Sequence, residues 1–217
     1  MSEIRFTDGE ALRVGTIICL GRNYKEHVKE MGRDLPTQPI LFLKPASSII
    51  HDGETIHTPP FSSRLHHEVE LVAVVGSDGK HISKEKAMSH IAGYAVGLDM
   101  TLRDVQERAI KNGWPWSVAK GFDTSAPLSN AVRAETVPDP HVLNIELKVN
   151  GKVRQSSNTS NMIFRLDFLV EYISSIFRLE KGDLIFTGTP EGVDRTLSGD
   201  TLEASIEKVG RLAVTVG

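Results

Sequence analysis

The most chemically informative stretch of the chain is a pair of acidic residues at the start of an apolar run. Glu68 and Glu70 directly precede the apolar residues 71–75. Side chains alternate along a strand, so both carboxylates are predicted to lie on one face. Neighbouring carboxylates repel each other and are costly to desolvate. We therefore expect a positive charge beside them, and a divalent cation is the simplest one. A strand end that is merely solvated is the alternative.

A third carboxylate follows another apolar segment. Residues 93–98 are predicted to form a buried strand that ends at Asp99. Thr101 and Asp104 then form a T-x-x-D pattern, which predicts a helix running to about residue 113. A carboxylate between a strand end and a helix start is a common ligand position. Asp99 as a local cap is the alternative.

A histidine and a glutamate share one face of a short predicted helix. Gly21 breaks the preceding strand, Asn23 is a candidate cap, and Gly32 is a candidate end. His27 and Glu30 lie three residues apart, so they can form a hydrogen bond on that helix. A carboxylate that orients an imidazole and raises its basicity suits a general base. A solvated helix with an incidental pair is the alternative.

Two irregular segments carry further candidates. Residues 114–121 contain two tryptophans around a proline and include Lys120, which on spacing alone is more typical of the surface. Residues 187–192, T-G-T-P-E-G, are rich in glycine and hydroxyl side chains and follow a predicted strand at 184–186. Such a loop exposes backbone N–H groups that bind carboxylate or phosphate oxygens. It lacks the lysine of a Walker A loop, which disfavours a nucleotide phosphate.

The elements that must position these residues are mostly short strands. The clearest is residues 143–149, where apolar and polar residues alternate before Asn150-Gly151, a strong hairpin signal. A helical period over residues 163–177 predicts a helix packed on the core. Residues 122–140 are predicted to be a loop. The other predicted strands are 14–20, 40–44, 202–206 and 212–216, and a further short helix is predicted at 83–91.

Composition limits the class of protein. The chain has 217 residues and a net charge of −3, so nucleic-acid binding is not expected. Its one cysteine, Cys19, excludes an internal disulfide, and a reducing cytoplasm is the default compartment. The residues near the given N-terminus do not combine a basic start with an apolar stretch, and no apolar run reaches 18 residues, so we expect an untargeted protein that does not span a membrane. We expect one cytoplasmic domain over residues 1–217 with no membrane partner.

Taken together, these motifs resemble the fumarylacetoacetate hydrolase family, especially its short branch of acylpyruvate hydrolases and oxaloacetate decarboxylases. The resemblance rests on the order of three motifs: H-E-V-E at 67–70, L-D-M-T-L-R-D-V-Q at 98–106, and T-G-T-P-E-G-V at 187–193. It extends from about residue 15 to the end of the chain. It implies an α+β fold, a mixed β-roll or sandwich with helices packed outside, that commonly forms a homodimer.

The resemblance also assigns roles to individual residues. The implied ligands of Mg²⁺ or Mn²⁺ are Glu68, Glu70 and Asp99, an oxygen-only set that suits these cations better than Zn²⁺. The implied catalytic residues are His27 and Glu30, on a segment that can act as a lid, and Lys120. The implied substrate-binding residues are Arg22, Tyr24, Arg103, Gln106 and Thr189.

The implied activity is cleavage of the C–C bond of an acylpyruvate. In this implied reaction a metal ion would stabilise an enolate on the pyruvate half, and His27 would activate water. Lys120 stabilises the oxyanion or the carboxylate. Decarboxylation of oxaloacetate, keto–enol tautomerisation of oxaloacetate and isomerisation of a dienoic 2-oxo acid use the same site and stay open. An inactive binding protein of the family would have lost a metal ligand or His27, whereas the three implied ligands and His27 are all present.

Overall fold

A computed structural model of the chain describes residues 2–30, 32 and 34–217. Within these residues the chain is mainly β-structure. The strands, in chain order, are β1 (Glu3–Arg5), β2 (Ala11–Arg13), β3 (Ile17–Gly21), β4 (Ile40–Lys44), β5 (Ile49–His51), β6 (Thr55–Ile56), β7 (Leu65–His66), β8 (Val69–Val75), β9 (Ile91–Leu98), β10 (Thr101–Leu102), β11 (Ala126–Leu128), β12 (Val132–Arg133), β13 (Asn144–Val149), β14 (Lys152–Asn158), β15 (Leu184–Phe186), β16 (Arg195–Thr196), β17 (Thr201–Ile206) and β18 (Gly210–Val216).

The helices are short and few. They are α1 (Lys25–Glu30), α2 (Lys84–Ala87), α3 (Arg103–Asn112), α4 (Ser117–Lys120) and α5 (Leu166–Ile176). The amphipathic α5 buries Leu169, Val170 and Ile173, as its helical period predicted. None of the helices in the described part of the chain is long and apolar enough to cross a membrane.

An eight-stranded mixed sheet positions the acidic residues. Seven of its strands follow the order β4-β3-β15-β8-β9-β11-β5, and β12 pairs with β9 at the side. Every residue of β8 is buried. Alternate residues of β8 pack into two separate apolar clusters, so the predicted strand buried on both faces is confirmed. The antiparallel β8–β9 pair sets Glu70 opposite Gly97, two residues before Asp99.

A five-stranded sheet of order β14-β13-β17-β18-β6 packs on the larger sheet. Its β13–β14 hairpin turns at Asn150 and Gly151, both with positive φ, as the Asn-Gly signal predicted. Apolar residues of β13, β17 and β18 join β8 and β9 in one buried cluster. The mixed sheets, with the few helices around them, confirm the expected α+β class and the roll or sandwich arrangement.

Several local predictions were wrong. Residues 117–120 were expected to be irregular but form α4, and residues 122–140 were expected to be a loop but contain β11 and β12. Both strands are only two or three residues long and pair with β9 or β5, a long-range contact that leaves no periodic signal. The β1–β2 hairpin was not predicted either.

The two predicted helix caps were also wrong. Asn23 instead links three loop segments, because its amide group donates to the carbonyl oxygens of Phe164 and Thr187 and accepts from the Phe164 N–H. Helix α3 begins after Leu102 without a side-chain cap. Thr101 donates to the Asp99 carbonyl. The Asp104 carboxylate accepts from the Ser62 hydroxyl.

Candidate active site

Three buried carboxylates meet where β8 and β9 bring their ends together. Glu68 precedes β8, Glu70 lies within it, and Asp99 follows β9. One oxygen from each lies within 4.8 Å of the others. The Asp99 N–H donates to the Glu68 carbonyl at 2.8 Å, which extends the strand ladder to the cluster. Backbone pairing therefore holds the three carboxylates together.

The cluster has the properties of a site for a divalent cation. Among the described residues, the buried Glu70 Oε1 has no hydrogen-bond partner, and the buried Asp99 Oδ1 has only an ion-pair contact with Lys44 at 2.8 Å. Buried acceptors normally have a partner, so Glu70 Oε1 requires one. Three carboxylates without sulfur or imidazole suit a hard cation such as Mg²⁺ or Mn²⁺. The residues present fit such an ion.

Lys120 is buried beside the carboxylates, although its sequence context favoured the surface. Its Nζ donates to Glu68 Oε2 at 2.8 Å, to Asp99 Oδ2 at 2.6 Å and to Thr101 Oγ1 at 2.7 Å. Lys120 is the last residue of helix α4, which delivers this side chain to the site. The ammonium group therefore uses its three donors on two acids and one hydroxyl.

Two of the acids, Glu68 and Glu70, and the neighbouring Lys120 have shifted pKa values. Burial alone raises the pKa of Glu68, but the charges of Lys120 and Arg103 outweigh burial and lower this pKa well below its usual range. Burial and the charges of Asp99 and Glu68 raise the pKa of Glu70 well above its usual range. Burial lowers the pKa of Lys120, but Asp99 and Glu68 outweigh it, so the net shift is upward. Glu70 is thus the acid most in need of a cation.

Lys44 is a residue of this site that the sequence did not reveal. It ends β4 and is 2% exposed. Its Nζ lies 2.8 Å from Asp99 Oδ1 in an ion pair that is not aligned as a hydrogen bond. A lysine at the end of an apolar strand that stops at a proline was its one signal.

Gln155 is a second buried residue that the sequence did not reveal. Its Oε1 accepts from the Val69 N–H at 3.0 Å and lies 3.1 Å from His67 Nδ1. Its Nε2 donates to Thr189 Oγ1 at 2.8 Å. Gln155 therefore links β14 to the start of β8 and to the loop at 187–192.

Two backbone N–H groups of the 187–192 loop bind carboxylates of the protein itself. Gly188 donates to Glu70 Oε2 at 2.7 Å, and Gly192 donates to Glu30 Oε2 at 3.2 Å. Gly188 has φ +94°, and a Cβ there would lie 2.6 Å from Asn23 Cβ, so only glycine fits. These two donors therefore bind carboxylates, as the sequence predicted, but both acceptors belong to the chain itself. They position one metal-site acid and one member of the histidine pair.

The predicted histidine–glutamate pair forms on α1. His27 Nδ1 lies 3.4 Å from Glu30 Oε2. His27 is nearly buried, whereas the Glu30 side chain is 48% exposed. Since Gly192 holds the same Glu30 oxygen, the pair is attached to the 187–192 loop. Because Nδ1 faces Glu30, Nε2 is the ring nitrogen of His27 that is available for proton transfer.

A cleft brings most of the predicted residues together. It is lined by both polar and apolar residues: Leu20, Gly21, Arg22, His27, Phe42, Glu68, Arg103, Gln106, Ile110, Trp116, Lys120 and Thr189. Arg103 donates to Glu68 Oε1 at 2.6 Å and to Gln106 Oε1 at 2.5 Å.

Two predicted substrate-binding residues are placed differently from the rest. Tyr24 is fully buried outside the cleft lining, and its hydroxyl has no hydrogen-bond partner among the described residues. Thr189 lines the cleft, but its hydroxyl donates to the Val69 carbonyl at 2.8 Å and accepts from Gln155. The aromatic part of the lining, where the rings of Trp116 and Phe42 pack edge-on with centroids 5.7 Å apart, was not predicted.

Comparison with known proteins shows the relationships of this chain. Over 193 residues it is 48% identical to the oxaloacetate tautomerase FAHD1, mitochondrial, of Mus musculus, covering 89% of this chain and 87% of that protein. It is 47% identical over 190 residues to the protein of the same name from Arabidopsis thaliana, covering 88% and 85%. The fumarylpyruvate hydrolase from Pseudomonas aeruginosa, whose crystal structure contains Mn²⁺ and pyruvate, superimposes with a TM-score of 0.95 at 38% identity, covering 99% of this chain and 94% of that one.

The family model described as fumarylacetoacetate (FAA) hydrolase C-terminal matches residues 16–217. The match includes both strands that carry the acids, the cleft and the 187–192 loop. It confirms the resemblance drawn from the motifs. The chain belongs to the fumarylacetoacetate hydrolase family.

Proposed function

We propose that this protein is a metal-dependent enzyme that hydrolyses acylpyruvates, cleaving the C–C bond between the distal carbonyl and the pyruvate half. One observation carries the proposal: Glu68 of the acid cluster and His27 of the histidine–glutamate pair line the same cleft. The fumarylpyruvate hydrolase that superimposes on this chain contains Mn²⁺ and pyruvate, which supports the same pairing of ion and 2-oxo acid here.

Glu68, Glu70 and Asp99 would hold Mg²⁺ or Mn²⁺. When bound, such an ion supplies a Lewis acid for the 2-oxo acid end of the substrate. Three protein carboxylates leave coordination positions for substrate oxygens. The paired arrangement of Arg103 and Gln106 gives the cleft donors for a carboxylate.

The residues of the chain divide the remaining work. His27, oriented by Glu30, takes a proton from the attacking water, which adds to the distal carbonyl. The C–C bond then breaks, the distal half leaves as a carboxylic acid, and the pyruvate half is released after it gains a proton. Lys120, held among Glu68, Asp99 and Thr101, stabilises negative charge on the substrate.

A second candidate is the interconversion of the keto and enol forms of oxaloacetate, or the decarboxylation of oxaloacetate. It is favoured by the name of the relatives that are 48% and 47% identical, oxaloacetate tautomerase. These reactions require proton transfer or loss of CO₂ but no attacking water. The acid cluster serves either reaction, and the walls of the cleft decide between them.

The test is a comparison of kcat/KM on acetylpyruvate, fumarylpyruvate and oxaloacetate with Mn²⁺ and with Mg²⁺. We expect kcat/KM for acylpyruvate cleavage to exceed kcat/KM for oxaloacetate decarboxylation. Tautomerisation of oxaloacetate is measured separately, by the loss of enol absorbance. Turnover of oxaloacetate alone would replace the first candidate with the second. Turnover of none of the three, with or without metal, would contradict both.

We also propose a homodimer, on the family resemblance. Light scattering coupled to size-exclusion chromatography tests this: a mass of twice 23.9 kDa is expected, and a monomer at micromolar concentration contradicts it.

A further inference from the structure

Lys44 lies in a buried hydrogen-bond network beside the acid cluster. The proposed reaction assigns no role to this residue. Its Nζ lies 2.9 Å from the Ser125 carbonyl oxygen, 3.3 Å from the Met100 carbonyl oxygen and within hydrogen-bond reach of the Lys120 carbonyl oxygen. Its fourth neighbour is Asp99 Oδ1. Its side chain is completely buried, so this charge has no access to water.

The network joins three separate parts of the site. Met100 follows the strand end that carries Asp99, Lys120 ends α4, and Ser125 lies just before β11. Ser125 reinforces the network, because its hydroxyl donates to the Lys120 carbonyl and its carbonyl accepts from the Met100 N–H. A buried ammonium is tolerated only when it is paired and hydrogen-bonded, and here both conditions hold.

We propose that Lys44 is a positioning residue for the Asp99 carboxylate, and that it fixes the orientation in which Asp99 meets a metal ion. This inference rests on the proposed metal site. Lys44 contacts Oδ1 of Asp99, while Lys120 contacts Oδ2. The carboxylate is therefore held between two ammonium groups on opposite oxygens. Without Lys44, it is free to turn both oxygens toward Lys120 and away from Glu70.

Position and charge make opposite predictions for this residue. A cation near the site repels a second cation, so removing the charge of Lys44 alone would tighten metal binding. Losing the orientation of Asp99 would weaken it, and partners behind a metal ligand are worth about 10- to 100-fold in affinity. The direction of the change therefore identifies which effect dominates.

The experiment is a calorimetric titration of Mn²⁺ into wild-type protein and Lys44→Met. Methionine has a similar length but no charge and no donors. We expect the Kd for Mn²⁺ to rise about 10- to 100-fold. We also expect the electron paramagnetic resonance spectrum of the saturated variant to show an altered zero-field splitting. Both readouts are independent of turnover.

A matched control is Ser174→Ala. Ser174 is fully buried on α5, accepts from the Ile82 N–H at 2.9 Å and donates to the Glu171 carbonyl at 3.0 Å. The control is expected to lower Tm and to leave Mn²⁺ affinity and the spectrum unchanged, because α5 contributes nothing to the cleft lining. It separates loss of a buried polar contact from loss of orientation.

Folded Lys44→Met with unchanged or tighter Mn²⁺ binding would overturn the proposal. If Lys44→Met does not fold, Lys44→Arg takes its place, since it keeps the charge but moves the donors. Weaker binding by that variant supports the proposal, and wild-type affinity overturns it. A wild-type protein that binds no Mn²⁺ would instead overturn the metal site itself.

Discussion

The two halves of the candidate site are built in different ways. The acid cluster sits on β8 and β9, where a continuous ladder fixes the backbone and every carboxylate is buried. The histidine pair sits on the six-residue α1, with contacts of 3.4 Å and 3.2 Å at Glu30 and half of that side chain exposed. A metal site requires ligands at fixed distances, whereas a base must admit substrate and water before it acts. The difference in construction matches the difference in task.

We expect the largest effect from a substitution in the acid cluster. Glu70→Gln keeps the size of the side chain but removes one of three carboxylates. We expect Mn²⁺ affinity to fall by at least about 100-fold, since loss of a direct ligand exceeds loss of a partner behind one. Turnover at micromolar Mn²⁺ should fall with it. Glu146→Gln, on the half-buried side of β13 away from the cleft, is the control and should bind normally. Full Mn²⁺ affinity in Glu70→Gln would mean that the cation lies elsewhere.

A substitution in the histidine pair should lower the rate of hydrolysis without changing metal binding at the cluster. His27→Ala removes the proposed base and should lower kcat for acylpyruvate hydrolysis by about 10²- to 10⁴-fold. Mn²⁺ affinity measured by calorimetry should stay within twofold of wild type. A parallel loss of metal affinity would show that the two halves are not independent. An undiminished rate would remove His27 from the mechanism.

Proton competition should weaken metal binding at the acid cluster. Burial and the charges of Asp99 and Glu68 raise the pKa of Glu70, so the folded protein without a cation binds a proton that the unfolded chain releases. Its stability therefore falls as pH rises from the ordinary glutamate pKa toward the raised one. A cation must displace that proton, so apparent Mn²⁺ affinity should rise with pH by up to about tenfold per unit. Calorimetry at several pH values tests this, and affinity independent of pH would contradict it.

The smallest effect is expected at Glu30. Glu30→Gln keeps acceptors for His27 and the Gly192 N–H but loses the charge, which is worth about 1 kcal/mol or roughly fivefold in rate. The loss should appear in kcat, with metal affinity unchanged. Glu26→Gln, exposed on the same helix and paired with Lys29, is the matched control. Equal rates for Glu30→Gln and wild type would leave His27 to act without a partner.

The sequence was most informative where chemistry and local pattern coincide. Glu68 and Glu70 lie at the start of an apolar run, and Asp99 lies at the end of another, so all three were found by position alone. The resemblance then supplied their common role. His27 and Glu30 were found by helical spacing, and the structure places them on the same short helix.

What the sequence could not reveal depends on contacts between distant segments. Lys44 is 55 residues from Asp99, and Gln155 is 34 from Thr189, so no periodicity links either pair. Lys120 was thought typical of the surface because burial of a lysine depends on partners that only the fold supplies. The donors at Gly188 and Gly192 were correctly expected to bind carboxylates, but their partners are set by the packing of β8 and α1 against one loop.

The most direct test of the central claim is a calorimetric titration of metal-stripped protein with Mn²⁺, repeated with pyruvate present. We expect one ion per chain and tighter binding in the presence of pyruvate, because pyruvate would bind the ion held by Glu68, Glu70 and Asp99. No Mn²⁺ binding, or binding that survives in Glu70→Gln and does not respond to pyruvate, would contradict it.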